Sequence, residues 1–169
     1  MISAYTGTQI RAAEQPLLTS GMGAVLMHRA SYGLANAVIQ ELRARGRRLY
    51  GASVAVLVGK GNNGGDGLFA GSFLAARGMR TTAVLTAGTA HTEALAAFER
   101  AGGRVHLLTE SNASQLAAHA ARADVVIDAI LGTGAQGGLR GAPAELVRAL
   151  LTQVRPELVV ACDIPSGVD

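Results

Sequence analysis

The sequence predicts an α/β domain in which helices cover both faces of a parallel sheet. Short apolar runs such as Ser53–Val58 and Val125–Ile130 recur along the chain, stretches of helical length separate them, and glycine-rich or polar loops follow several of them. Strands buried on both faces read as continuous apolar runs, and crossovers long enough to hold a helix make neighbouring strands parallel. The expected architecture is a three-layer αβα sandwich, doubly wound and Rossmann-like, with a helical segment in front of a mainly parallel sheet.

The elements follow in order. Ile10, Ala12, Ala13 and Leu17 suggest a helix from Thr8 to Leu18, which Pro16 is expected to end or restart because proline lacks the N–H that an inner turn needs. After the break at Thr19-Ser20-Gly21, the longest helix runs from Ala24 to Arg45, with Leu26, Met27, Ala30, Leu34, Val38, Ile39 and Leu42 at helical spacing and Gly46 as its stop. Ser53–Val58 is the first strand, and after a glycine-rich loop a helix is expected over Leu68–Arg77, closed by Gly78. A strand at Thr81–Leu85 leads to a helix from about Thr89 to Ala101. Gly102-Gly103 resets the chain for a short strand, Arg104–Leu107, and an alanine-rich helix follows from about Ala113 to Arg122. Val125–Ile130 is the next strand, Pro143 opens a helix to about Gln153, and Leu158–Cys162 is the last strand.

Composition narrows the class. With 169 residues, 49% of them hydrophobic, the chain can bury a core and reads most simply as one domain, 1–169. The net charge of +3 comes largely from scattered arginines, several in the run Arg43, Arg45, Arg47, Arg48 at a solvated helix end. Aromatic residues make up only 4% and do not interleave with basic ones, so nucleic acid is not an expected partner. The single Cys162 has no partner for an internal disulfide, no apolar run reaches the length of a membrane span, and the N-terminus lacks a signal pattern. A cytoplasmic protein with no membrane partner is expected.

The chemistry concentrates in loops after strands, where doubly wound sheets bind their ligands. The first is Gly59-Lys60-Gly61-Asn62-Asn63-Gly64-Gly65-Asp66-Gly67. Glycines let backbone N–H groups approach a phosphate, and a helix after the loop aims its dipole at the anion. Gly59, Gly61 and Gly64 satisfy G-x-G-x-x-G, but the region about 20 residues on, Val84-Leu85-Thr86-Ala87, lacks the acid of a dinucleotide dehydrogenase. No Gly-Lys-Ser/Thr follows, which excludes a Walker A loop. The second dense loop, Gly132–Gly141, follows the strand that holds Asp128, and the third is Asp163-Ile164-Pro165-Ser166-Gly167-Val168-Asp169. Asp163, Asp128 and Asp66 are the candidate acid–base groups. Asp66 serves equally as a helix N-terminal carboxylate that complements the dipole. Asp128, with an asparagine amide oxygen and the Ser166 hydroxyl, could instead hold a hard cation. The four histidines show no metal-ligand spacing, Cys162 reads as a core residue, and Lys60 remains open as a phosphate contact.

Gly61-Asn62-Asn63-Gly64-Gly65-Asp66-Gly67, Asp128-Ala129-Ile130-Leu131-Gly132-Thr133-Gly134 and Asp163-Ile164-Pro165-Ser166-Gly167-Val168-Asp169 together resemble the YjeF N-terminal domain family, the NAD(P)H-hydrate epimerases. Gln9-Ile10-Arg11 and Leu26-Met27-x-x-Ala30 extend the resemblance over nearly the whole chain. It implies an isomerase that interconverts the R and S epimers of hydrated NADH or NADPH, which are its substrates, so that an ATP- or ADP-dependent dehydratase, fused or separate, can repair the S form. It also implies one bound potassium ion (K+). By motif position, Asn62, Asn63, Gly64, Gly65, Asp66, Gly132, Thr133, Gly134, Ala135, Gln136, Gly137 and Gly138 would hold the substrate. Asp163 would contact its reacting end and act as the catalytic residue, and Asn63, Asp128 and Ser166 would bind the ion. A valine at Gly64 or Gly65 is expected to intrude where the ligand lies.

Members of the family usually continue past this third motif with further strands, so a longer natural protein is expected; a homo-oligomer is expected as well. The alternative from another class is a non-catalytic scaffold, since YjeF-like domains also serve in RNA-decapping proteins. The complete Asn-Asn-Gly-Gly-Asp loop and Asp163 favour the enzyme.

Overall fold

The computed structural model describes residues 5–135, 137–152 and 156–167. Two helices, α1 (Gly7–Thr19) and α2 (Gly23–Ala44), precede β1 (Ser53–Val58), α3 (Asn62–Ala75), β2 (Arg80–Leu85), α4 (Thr92–Arg100), β3 (Arg104–Leu107), α5 (Ala113–Ala121), β4 (Val125–Ala129), α6 (Ala142–Thr152) and β5 (Val159–Ala161). The five strands form one sheet in the order β3-β2-β1-β4-β5, with every described pairing parallel. Chain order reverses direction between β1 and β4, and the strands' carboxyl ends diverge there into a crevice.

Alternating strand residues feed two cores. On one face Val54, Val56 and Val58 pack with Val38, Leu42, Leu68, Leu74 and Phe98 from α2, α3 and α4. On the other, Ala55, Leu57 and Val84 pack with Leu116, Ala117 and Ala120 of α5 and Leu146 and Leu150 of α6. The three-layer expectation therefore holds, as does the Gly46 stop. Gly46 takes φ 68°, and the N–H groups of Gly46 and Arg47 donate to Arg43 and Leu42 carbonyls at 2.9 Å each. This is the paired-bond ending that a left-handed glycine permits.

Two local expectations need correction. Pro16 neither ends nor restarts α1, which continues to Thr19. Proline's missing N–H strands one carbonyl a turn earlier, but α1 has no buried residue, so water can take that bond. A capping box between Thr6 and Gln9 secures the helix start. The second correction bears on the site: the helix expected to begin at Leu68 begins at Asn62 and ends at Ala75. Asn62-Asn63-Gly64-Gly65-Asp66-Gly67 is thus helix rather than loop. Poor helix formers are accepted because α3 packs closely on its neighbours: a Cβ on Gly67 would come 2.5 Å from Ala129 Cβ of β4, and one on Gly71 would come 2.6 Å from the Phe98 ring of α4.

Smaller differences are at element ends. The helix expected from Thr89 begins at Thr92, with His91 as its cap: His91 Nδ1 accepts from the Ala94 N–H at 3.3 Å. Pro143 is the second residue of α6, and the expected end at Gln153 lies outside the described residues. The last strand is shorter than Leu158–Cys162, with Leu158 buried just before it.

Candidate active site

The crevice between β1 and β4 is narrow because the backbone itself fills it. Gly59 follows β1 with its N–H donating to the Ala129 carbonyl at 3.0 Å, and a Cβ on Gly59 would stand 1.9 Å from the Ile130 carbonyl oxygen. Gly64, in the first turn of α3, is pressed against Gly59, whose carbonyl oxygen would lie 2.0 Å from a Cβ there. Gly65 faces His91, 3.1 Å from a Cβ. Packing of the helix start onto the strand, more than access for a ligand, accounts for these glycines. Gly61 is different. It caps α3 in extended conformation, with open space where a Cβ would be, so the first N–H groups of α3 have an unobstructed approach.

Asp128 lies in β4 beside Leu57 of β1, and its side chain organises the third loop. Ser166 gives it two bonds, from the backbone N–H at 2.7 Å and from the hydroxyl at 2.6 Å, and the Ile130 N–H adds one at 3.3 Å. Ser166 Oγ also accepts from the Leu131 N–H at 2.9 Å, while the Asn63 side-chain amide donates to the Leu131 carbonyl at 3.0 Å. Asn63 and Ser166, and Asp128 through Ser166, are thereby gathered around the backbone of one residue, Leu131. Their donor set is all oxygen with a single formal negative charge, which fits a monovalent hard cation. Among the described residues, no group of three or more His, Cys, Asp or Glu side chains is placed to hold a metal ion.

Asp163, exposed just beyond β5, accepts the Thr133 N–H at 2.7 Å. The same oxygen would lie 3.0 Å from a Cβ on Gly132, and the Asn63 side chain 3.4 Å from it, so glycine at 132 lets Asp163 and the start of α3 close on one point. Beside it a cavity of about 320 Å³ is lined by Gly132, Thr133, Ala135 and Gly137 together with Gly7, Thr8 and Arg11 of α1. Gly134 and Gly138 add open backbone in the same loop, and Gln136 lies outside the described residues.

Asp66 is half-buried, and burial, only partly offset by the Ser31 hydroxyl and His91, pushes its pKa from 3.8 up to about 6. Cys162 is packed against the core, and burial, with the negative charges of Asp66, Asp163 and Asp128, drives its thiol up to about 12. It is no nucleophile at neutral pH. Three site residues escaped the sequence reading. Ser31, fully buried on α2, contacts Asp66 Oδ1 at 3.1 Å, and its only sequence signal is a polar residue at a core position of an amphipathic helix. Arg11 reaches the Thr133 carbonyl at 3.5 Å, and His91 flanks Gly65; neither left a signal in spacing. Lys60 stays exposed at the mouth.

Fold and site together define a doubly wound α/β domain that presents a helix N-terminus and three carboxylates at its topological switch point. Comparison with known proteins gives the family: residues 23–169 match the model of the YjeF-related protein N-terminus, and the chain belongs to that family. It is 44% identical over 166 residues to the "Bifunctional NAD(P)H-hydrate repair enzyme Nnr" of Mycobacterium tuberculosis, which covers 98% of this chain and 33% of that protein. It is 42% identical over 169 residues to the "NAD(P)H-hydrate epimerase" of Clavibacter michiganensis, with 97% and 70% covered. The chain thus spans a third of the bifunctional relatives' length. The crystal structure of yeast ynu0 superposes with a TM-score of 0.80 at 22% identity, over 97% of this chain and 71% of that one, which shows the fold. Among the described residues no helix is long and apolar enough to cross a membrane.

Proposed function

We propose that this protein is an NAD(P)H-hydrate epimerase, an isomerase of nicotinamide nucleotide repair that interconverts the R and S forms of hydrated NADH and NADPH. The observation that carries the reading is the Asp163 carboxylate, anchored by the Thr133 N–H at 2.7 Å on the same edge as the open start of α3. Relatives at 40–44% identity that bear epimerase or repair-enzyme names support it.

Substrate phosphates would lie at the N-terminus of α3, near Asn62, Asn63 and Asp66, where unpaired N–H groups and the helix dipole favour anions. The Gly132–Gly138 loop would cover the remainder. Loss of the hydroxyl from the hydrated ring, assisted by the ring nitrogen, leaves a planar iminium that water can attack from either face. Asp163 would give its proton to the departing hydroxyl, releasing water, and take one back from the water that adds. Proton and water are both returned, so the reaction is a net isomerisation. Asn63, Asp128 and Ser166 would hold one potassium ion. That ion would supply a fixed positive charge that offsets Asp128 and ties α3 to the two loops.

We place the protein in the cytoplasm, acting beside an ATP- or ADP-dependent dehydratase, fused or separate. The bifunctional relatives support that partner. Exposed Ile10, Leu17, Leu18 and Val25 on the first two helices support a homo-oligomer.

The test is Asp163→Asn in the full protein, followed by chromatography that resolves the two epimers. Epimerisation should fall by roughly two to four orders of magnitude, the range for a general acid–base group, with binding of the hydrated cofactor retained. Wild-type turnover in the variant would exclude the role of Asp163, and a wild-type protein that binds without epimerising would favour the scaffold.

A further inference from the structure

The opposite edge of the sheet carries a second concavity, which the proposed function leaves without a role. It measures about 460 Å³ and opens where β1, β2 and β3 begin and α5 ends. Register dictates what faces it. Thr82 is paired with Ala55 on one side and Arg104 on the other, and Arg80 is paired with Ser53. Residues paired across parallel strands share a face, and alternation puts Arg80 on the same face as Thr82. That is the face α5 covers, since Ala55 packs with Ala117 and Ala120. Arg122 and His119 complete the rim from the end of α5.

Among the described residues none of the three arginines makes an ion pair. Arg80 Nε donates to the Gly51 carbonyl at 3.1 Å, which leaves its two terminal nitrogens without a protein partner among the described residues. Asp124 is the acid nearest in the register. It accepts the Ser53 N–H and hydroxyl at 2.7 Å each, and these bonds hold its carboxylate ionised. Set against three arginines, it leaves the mouth with a formal charge of +2, His119 counted neutral. The carbonyl end of α5 also points here, and Arg122, as its C-cap, answers that dipole. No helix end accounts for Arg80 and Arg104, which begin strands.

We propose that this concavity is a second binding site, for a small phosphate monoester whose dianion is gripped by Arg80, Arg104 and Arg122 over the Thr82 hydroxyl. Guanidinium forks match phosphate oxygens two at a time, and a dianion balances the charge at the mouth. The six residues of β1 separate the two edges of the sheet by about 20 Å, so a different molecule from the epimerase substrate would fill this site.

The experiment is a titration of the full protein with AMP and with inorganic phosphate, followed by backbone amide NMR and calorimetry. Saturable shifts are expected at 80–82, 104 and 119–123, with binding weakened by added salt. Because Arg104 is exposed, Arg104→Ala should fold normally and weaken AMP binding at this edge roughly tenfold or more, as loss of a charged hydrogen-bonding partner implies. Asp163→Asn should leave that binding unchanged. Saturation by inorganic phosphate as well as AMP supports recognition of the phosphate itself. Shifts confined to 62–66 and 132–134, shifts that never saturate, or wild-type affinity in both Arg80→Ala and Arg104→Ala would overturn the proposal.

Discussion

Asp66→Asn should stabilise the protein at neutral pH, and the structure allows the effect to be worked out. Ser31 Oγ lies 2.7 Å from the Met27 carbonyl and 3.1 Å from Asp66 Oδ1, and its single proton cannot serve both. When Asp66 is protonated the conflict disappears, because the carboxyl donates to Ser31 and Ser31 donates to Met27. Ionised, the half-buried carboxylate must compete for that proton. Burial outweighs what the Ser31 hydroxyl and His91 give the carboxylate, and the carboxyl pKa rises from 3.8 to about 6. A folded-state pKa above the unfolded one means that the folded state binds more protons. The stability associated with protonated Asp66 is therefore fully present below the ordinary carboxyl value and is lost as pH rises towards about 6. The two-unit shift would correspond to about 3 kcal/mol for a fully buried group, and partial exposure reduces this to about 1–2 kcal/mol. Asparagine reproduces the protonated arrangement, its amide donating to Ser31, without the ionisation. Urea midpoints of wild type and variant at pH 7.5 should differ by that amount in favour of Asn, and the gap should shrink to about a third by pH 4.5. A variant less stable than wild type at pH 7.5, or a gap independent of pH, would refute the reasoning.

Two further outcomes follow from the same edge of the sheet. Gly64→Ala places a Cβ 2.0 Å from the Gly59 carbonyl oxygen, a backbone atom that cannot swing aside, so destabilisation of about 1–3 kcal/mol is expected in thermal or urea unfolding. Wild-type stability there would show that α3 is not held as close to β1 as described. Asp128→Ala removes the acceptor of the Ser166 N–H and hydroxyl, and should abolish any dependence of epimerisation on potassium while the domain still unfolds cooperatively. Unchanged potassium dependence in the variant would remove Asp128 from the ion site.

The sequence by itself determined the class of fold and the edge on which the candidate site lies. Uniform apolar runs such as Ser53–Val58 can only be strands covered on both faces, and crossovers of helical length force them parallel, so ligand-bearing loops must gather at their carboxyl ends. The three motifs stood out because aspartate, asparagine and glycine are unusual neighbours for buried strands. Only the tertiary structure decided what each of those residues touches. Local propensity puts Asn62–Gly67 in a loop, yet the segment is helical, because glycines at 64 and 67 let α3 press on the Gly59 backbone and on Ala129 of β4, while Gly71 leaves room for the Phe98 ring of α4. Pro16 stays inside α1 for the opposite reason: nothing buries that helix, so a lost hydrogen bond costs little. Arg11 of α1, Ser31 of α2 and His91 at the cap of α4 reach the site from segments distant in sequence, which is a matter of packing and leaves no pattern in spacing. The Asp66 pKa, likewise, belongs to no motif. It arises from desolvation, which the Ser31 hydroxyl offsets only in part, and both exist only once α2 has packed against α3.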